Sequence, residues 1–255
     1  MKAVILAGGF GTRLGEDTVH RPKPMVEIGG RPILWHIMKI YSKAGINDFV
    51  ICLGYKGNVI KEYFANYFLY TSDVTFDLSD NSVTTHRNTA EPWRVTLVDT
   101  GQNTQTGGRL RRVRDYLGME PFCFTYGDAV TDLDVGRVVD FHHRHGRIAT
   151  VTAVKPIGRF GNLEMGDEGG QVTRFEEKPA GDGTWINGGF FVLSPTVFDY
   201  IAGDETLWER EPMARLLAEN ELHAYRHGGF WHCMDTPRDR TVLDEMCAGG
   251  TPVWL

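Results

Sequence analysis

The chain has few cysteines, no long apolar run and no excess of positive charge. Cys52, Cys123, Cys233 and Cys247 lie far apart, with no Cys-x-x-Cys pair. That spacing suggests neither a zinc site nor a disulfide framework, so free thiols in a reducing cytoplasm are expected. Cys52 and Cys123 sit inside apolar runs, where a buried thiol behaves as a small hydrophobe. No stretch is long enough to span a bilayer, so no membrane partner is expected. The opening Met1–Ala7 starts like a signal peptide, but its apolar part is short and runs into glycines. Against 27 Lys and Arg stand 33 Asp and Glu, a net charge of −6. That balance argues against a general nucleic-acid binder, which needs a basic field. An anionic small substrate is still allowed, because a few cations in a cleft set the local potential. No repeat or low-complexity tract interrupts the 255 residues, 42% of them hydrophobic. One large core and a single domain over 1–255 are the expectation.

Two familiar phosphate-binding signatures are also missing. Gly9-Phe10-Gly11-Thr12-Arg13-Leu14 lacks the third glycine of a dinucleotide fingerprint, and no Gly-Lys-Ser/Thr follows to make a Walker loop. What is present is an apolar run, Ala3–Ala7, of the right length for a buried strand, which breaks into Gly8-Gly9-Phe10-Gly11-Thr12-Arg13. Three glycines in four positions let backbone approach a ligand closely. Successive N–H groups in such a loop can form an anion-binding nest. Arg13 adds a planar fork of donors suited to phosphate oxygens. Further on, Pro22-Lys23-Pro24 braces one lysine between two residues of locked φ. A glycine turn with surface cations nearby would read the same way from the glycines alone.

The longer pattern is more specific. Leu6-Ala7-Gly8-Gly9-Phe10-Gly11-Thr12-Arg13-Leu14, followed by Pro22-Lys23-Pro24-Met25, resembles the signature of the sugar-phosphate nucleotidyltransferases. The variant running from His20 to Gly30 is most similar to members that use CTP and glucose 1-phosphate. The resemblance extends over almost the whole chain and is weakest in the last dozen residues.

In chain order, apolar periodicity predicts a helix over 32–44, a buried strand over 48–53 and a helix over 57–68. This alternation implies a parallel sheet with right-handed crossovers. Residues 69–93 are polar with alternating Val74, Phe76 and Leu78, and read as a hairpin inserted over the main sheet. A strand over 94–99, a polar loop over 100–108 and a helix over 109–117 follow. Then come a strand over 121–126, a helix over 134–145 and a strand over 147–155. From Asn162 the pattern favours shorter antiparallel strands, with helices near 195–201, 212–220 and 237–247 and a strand near 222–227. The expected fold is α/β: a Rossmann-like, mostly parallel sheet flanked by helices, with an inserted hairpin and a smaller C-terminal antiparallel region. A nucleotide-binding half would cover about 1–130 and a sugar-phosphate half about 131–255.

Ligands in such sheets bind beyond the carboxyl ends of the strands, where strand order reverses. The glycine loop and Gly127-Asp128 both fall at such ends. Asp128 reads as a cap or turn residue, or as a Mg²⁺ ligand, since Mg²⁺ takes one or two carboxylates. Asp235 equally reads as a cap for the last helix. The resemblance implies that Asp128 and Asp235 hold Mg²⁺, and that Arg13, Lys23 and Asp128 carry catalysis. It implies nucleotide contacts along Leu6, Ala7, Gly8, Gly9, Phe10, Gly11, Thr12, Arg13 and Lys23, and base contacts at Thr104 and Arg109. It implies sugar-phosphate contacts at Glu177, Lys178, Asn187 and Gly188, with Trp185 open to a plain core role. On charge pattern alone Glu176-Glu177-Lys178 is a charged strand edge, and the arginines from Arg109 to Arg114 a solvated helix face. His142, His143 and His145 read as helix-end cations rather than a metal site.

The activity implied is transfer of CMP from CTP to glucose 1-phosphate, in the 3,6-dideoxyhexose branch of surface-polysaccharide synthesis. A homo-oligomer, a hexamer by the same resemblance, is implied as well. A uridylyl- or thymidylyltransferase and an inactive sugar-nucleotide sensor are the alternatives.

Overall fold

A computed structural model describes residues 1–156 and 184–255, together with the backbone of 162–165 and 172–176. Seven strands form the central sheet: β1 (Lys2–Leu6), β2 (Asp48–Leu53), β3 (Arg94–Asp99), β4 (Phe122–Tyr126), β5 (Ala149–Val154), β6 (Ile186–Leu193) and β7 (Leu222–His227). Their spatial order is β7-β5-β6-β4-β1-β2-β3. β6 runs antiparallel to β4 and β5, and the other pairings are parallel. The prediction of antiparallel strands after Asn162 holds for β6 and for the hairpin Asn162–Met165/Val172–Glu176. It fails for β7, which joins β5 in parallel.

The apolar runs of β1, β2 and β4 follow from their burial on both faces. Along β1, Ala3 and Ile5 pack on one side, with the helix Ile33–Lys43, while Val4 and Leu6 pack on the other, with Leu110, Val197 and Trp208. The chain builds β1, β2 and β3 outward in one direction and then returns to lay β4 on the other flank of β1. That reversal opens a crevice beyond the carboxyl ends of β1 and β4.

Two further elements differ from the reading of the sequence. The hairpin Ser72–Asp77/Ser82–Asn88 forms, but nearly all its side chains are exposed, so it does not cover the sheet. Its few apolar side chains, Phe76 and Val83 among them, lie open to solvent. The helix expected from Arg109 starts at Thr106. The tail is structural: Trp254 is fully buried, and its indole donates to His36 Nδ1 at 3.1 Å. Among the described residues, no helix is long and apolar enough to cross a membrane.

The histidines at the end of the helix Val135–His145 are not simply helix-end cations: His143 is exposed, but His142 belongs to the core. His142 is buried, with Thr150 Oγ1 at 2.9 Å and Ser194 Oγ at 3.1 Å from its two ring nitrogens. Burial, then the neighbouring His145 and His143, lower its pKa to about 4. The unfolded chain therefore binds a proton that the folded chain refuses between the ordinary value of 6.5 and about 4. Stability from this group is present above pH 6.5 and is lost as pH falls through that window. Thermal melts from pH 7 to pH 4 should show a shallower decline in a His142→Gln variant; an unchanged slope would remove His142 as the cause.

Candidate active site

The crevice is an open cleft of about 780 Å³. The glycine loop forms one lip. Gly11 has φ +65, and a Cβ there would come within 3.0 Å of both Lys23 Cβ and Thr18 Cγ2. The loop then enters a short 3-10 segment, Thr12–Thr18, which breaks at Gly15. The Thr18 hydroxyl lies 3.2 Å from the Gly11 carbonyl and 3.1 Å from that of Gly15. Leu14 is buried and anchors the segment from below. Lys23 lies in a single tight turn, Lys23–Met25, between its two prolines. Pro24 packs against Gly127: a Cβ at Gly127 would meet Leu6 O at 2.4 Å and Pro24 Cγ at 2.9 Å. Glycine there lets the lysine turn and the end of β4 touch.

Four charged side chains meet at this lip. Lys23 Nζ donates to Asp128 Oδ2 at 2.8 Å and to Asp235 Oδ1 at 2.7 Å. Arg13 Nη1 donates to Asp235 Oδ2 at 2.9 Å. Asp235 is distant in sequence but is brought in by a short antiparallel bridge, Trp231–Cys233 against Ala129–Thr131. The bond from Met234 N to Asp128 O, 2.8 Å, continues that bridge to the two aspartates. The final helix does not use Asp235 as its cap. Thr236 and Asp239 cap it with a reciprocal capping box, leaving Asp235 to face the cleft cations. Burial alone would lower the pKa of Lys23, but Asp128 and Asp235 more than reverse this and hold it above 10.5. Burial and the same aspartates push the Cys233 thiol up to about 11, so it stays protonated.

The opposite lip follows β3. Arg109, 5% exposed, spends its guanidinium on the loop backbone rather than on solvent. Nη1 donates to Leu53 O, Thr100 Oγ1 and Gly101 O, and Nη2 to Gly8 O and Gln102 O, at 2.7–3.2 Å. It belongs to a buried clamp, not to a solvated helix face, and it ties both lips together. Gly107 and Gly108 lie inside the helix Thr106–Arg112 because the chain at 204–206 packs on them. A Cβ would come within 2.8 Å of Thr206 O and 2.5 Å of Asp204 O respectively.

At the third side, the amide of Asn187 approaches the Tyr126 hydroxyl at 3.4 Å, and its oxygen accepts from Gly189 N at 2.8 Å. Gly188 turns its carbonyl away to the Trp231 indole, 2.8 Å. Trp185 is not core: it is 38% exposed, with Lys155 and Arg226 over its ring. Glu177 and Lys178 lie outside the described residues.

Leu6 to Gly11, Arg13, Lys23, Thr104, Arg109, Asp128 and Asn187 all border this one cleft, whereas Thr12 and Gly188 do not, and Asp235 joins it through its bonds to Arg13 and Lys23. Sequence reading missed Gln102, Tyr126, Glu205 and Glu209, which border it as well. Tyr126 directly precedes Gly127-Asp128, so its position carried a signal; Glu205 and Glu209 carried none.

The sequence model of the nucleotidyl transferase family matches residues 2–231. The glucose-1-phosphate cytidylyltransferase of Salmonella typhi is 59% identical over 255 residues, covering 100% of this chain and 98% of that protein. A probable glucose-1-phosphate cytidylyltransferase of Bacillus subtilis is 45% identical, covering 100% and 99%. Among solved structures, HddC from Yersinia pseudotuberculosis superposes with a TM-score of 0.68 at 22% identity, covering 96% of this chain and 98% of that one. A UDP-glucose pyrophosphorylase with UDP-glucose bound gives a TM-score of 0.66 at 16% identity, covering 96% and 97%. At these identities the structures speak for the fold alone.

Proposed function

The chain belongs to the nucleotidyl transferase family, and we propose that it transfers CMP from CTP to α-D-glucose 1-phosphate, giving CDP-glucose and pyrophosphate. One observation carries the chemistry: Arg13, Lys23, Asp128 and Asp235 form one hydrogen-bonded chain at the mouth of a glycine loop. The choice of CTP and glucose 1-phosphate rests on the likeness to the cytidylyltransferases.

A phosphate monoester oxygen is already a nucleophile, so no strong general base is needed. It attacks the α-phosphorus in line, the P–O bond to pyrophosphate breaks, and the sugar phosphate keeps its glycosidic bond. Catalysis is then positioning plus charge stabilisation. Lys23 neutralises charge at the α-phosphate, and Arg13, 73% exposed, reaches the β- and γ-phosphates. The backbone of Gly8–Gly11 cradles the triphosphate. Asn187 meets the sugar, with Glu177 and Lys178 assigned to it by family likeness.

Asp128 and Asp235 suit Mg²⁺. Both carboxylates converge on one cation, Lys23 Nζ, and two carboxylates are the protein share that Mg²⁺ commonly takes. When bound there, the ion supplies Lewis-acid neutralisation of the phosphate oxygens. A homo-oligomer, a hexamer on family likeness, belongs to the same proposal and is checked by mass in solution.

The test is pyrophosphate release with Mg²⁺ across five nucleoside triphosphates and several sugar phosphates. Release confined to CTP with glucose 1-phosphate is the expected result. Release with UTP or dTTP instead would overturn the base assignment. No release, with CTP still raising the melting temperature, would make the chain a sensor.

A further inference from the structure

We propose that Glu209 selects cytosine over uracil at the base end of the cleft. The inference rests on the CTP reading and deepens it. The cleft is polarised. Arg13, Lys23 and the two aspartates occupy the phosphate lip. The lip beyond Gly8 and Gly9 is lined by Gln102, Asn103 and Thr104, with the carboxylates Glu205 and Glu209 alongside. A triphosphate drawn to the first lip leaves its base toward the second.

Glu209 is set there in a fixed posture. Its Oε2 accepts from Thr106 Oγ1 at 2.7 Å, and that same oxygen of Thr106 accepts from Trp208 N at 2.9 Å. Trp208 is fully buried between Phe124 and Phe191, so the backbone beside Glu209 is anchored in the core. Gln105 N and Gly107 N hold the same segment through Asp204 O and Thr206 O, each at 2.9 Å. On the cleft side Glu209 lies close enough to the Tyr126 hydroxyl to raise that phenol's pKa, second only to burial. A carboxylate has about four acceptor positions and no donor; Thr106 takes one of them and the Tyr126 hydroxyl lies against another. Arg109, a cation that borders the same cleft, has its terminal nitrogens turned to backbone and to Thr100.

An acceptor-only group discriminates the two pyrimidines by sign. Cytosine presents an exocyclic amino group at C4, a donor that a carboxylate accepts. Uracil presents a carbonyl oxygen there, whose lone pairs face the carboxylate charge. If uracil offered its N3–H instead, its two flanking carbonyls would still meet that charge. A glutamine loses this preference, because its amide can rotate to offer either oxygen or NH₂.

The test compares kcat/KM for CTP and UTP, and equilibrium binding of each nucleotide without sugar phosphate, in wild type and Glu209→Gln. The CTP/UTP ratio should fall roughly 10- to 100-fold in both measurements, the scale of one charge-assisted hydrogen bond. Thr106→Val, which keeps the charge but releases its anchor, should lower the ratio by less. It is the readout if Glu209→Gln does not fold. A wild type that prefers CTP, with the ratio unmoved in the folded variants, would overturn the role of Glu209 and leave the proposed reaction intact. A wild type that binds both equally would instead remove the base assignment.

Discussion

Replacing Lys23 by methionine is expected to lower kcat/KM for pyrophosphate release by about 10²–10³, the usual cost of deleting one preorganised charge-stabilising donor. Methionine keeps the bulk of the stem and removes the ammonium. Lys23 is well suited to such a role. Its side chain is 13% exposed, and the turn that carries it is bracketed by Pro22 and Pro24 and packed on Gly127. Little reorganisation is left to pay for when charge develops. The same substitution has a second readout. Without Nζ, Asp128 and Asp235 face each other with no shared ammonium between them, a like-charge arrangement that favours a divalent cation. Mn²⁺ should therefore raise the melting temperature of Lys23→Met more than that of wild type when no nucleotide is present. The sign of the pH dependence is also set. Because the folded pKa of Lys23 lies above its ordinary value, its ion pairs contribute fully below pH 10.5 and are lost only above it. A Lys23→Met enzyme with near-normal kcat/KM would refute the assignment.

The sequence exposed those parts of the site that local chemistry fixes. The run Ala3–Ala7, the glycines after it and the proline-braced lysine are each contiguous, and so is Gly127-Asp128 at the end of β4. Topology then required the first and last of these to meet, because β1 and β4 are neighbours. Asp235 was less legible. Its place depends on a three-residue bridge to Ala129–Thr131, a pairing too short to have a period of its own. Gly107 and Gly108 were read as loop because glycine usually breaks helices. Here tertiary packing wins, since the backbone at Asp204 and Thr206 leaves no room for a Cβ. Glu209 had no signal at all: a charged residue in a polar stretch becomes part of the cleft through the burial of its neighbour Trp208. The exposed hairpin reflects the same limit. Alternation of Val74 and Phe76 predicts strands correctly but says nothing about what they face.

Arg109→Met is the largest expected loss of stability, about 3–5 kcal/mol by urea unfolding, the range for breaking a buried charged network. The guanidinium is the shared donor for the Leu53, Gly8, Gly101 and Gln102 carbonyls and the Thr100 hydroxyl. Removing it strands several acceptors away from water, each carrying its own desolvation cost. Lysine would not rescue the fold, because one ammonium cannot present the planar fork that reaches all of them. Gly8→Ala approaches the same defect from the other side: the new Cβ would lie 2.2 Å from Nη1 and must push the clamp out of place. A Met variant within about 1 kcal/mol of wild type would show that the clamp is dispensable. The functional consequence follows from where the acceptors sit. Gly8 belongs to the glycine-loop lip, while Gln102, next to Gly101, belongs to the facing lip. Loosening Arg109 therefore changes the width of the cleft at the nucleotide end, so KM for CTP should rise in any variant that still folds. KM for the sugar phosphate should move less, because Asn187 is held by Gly189 and Tyr126 and has no bond to the clamp.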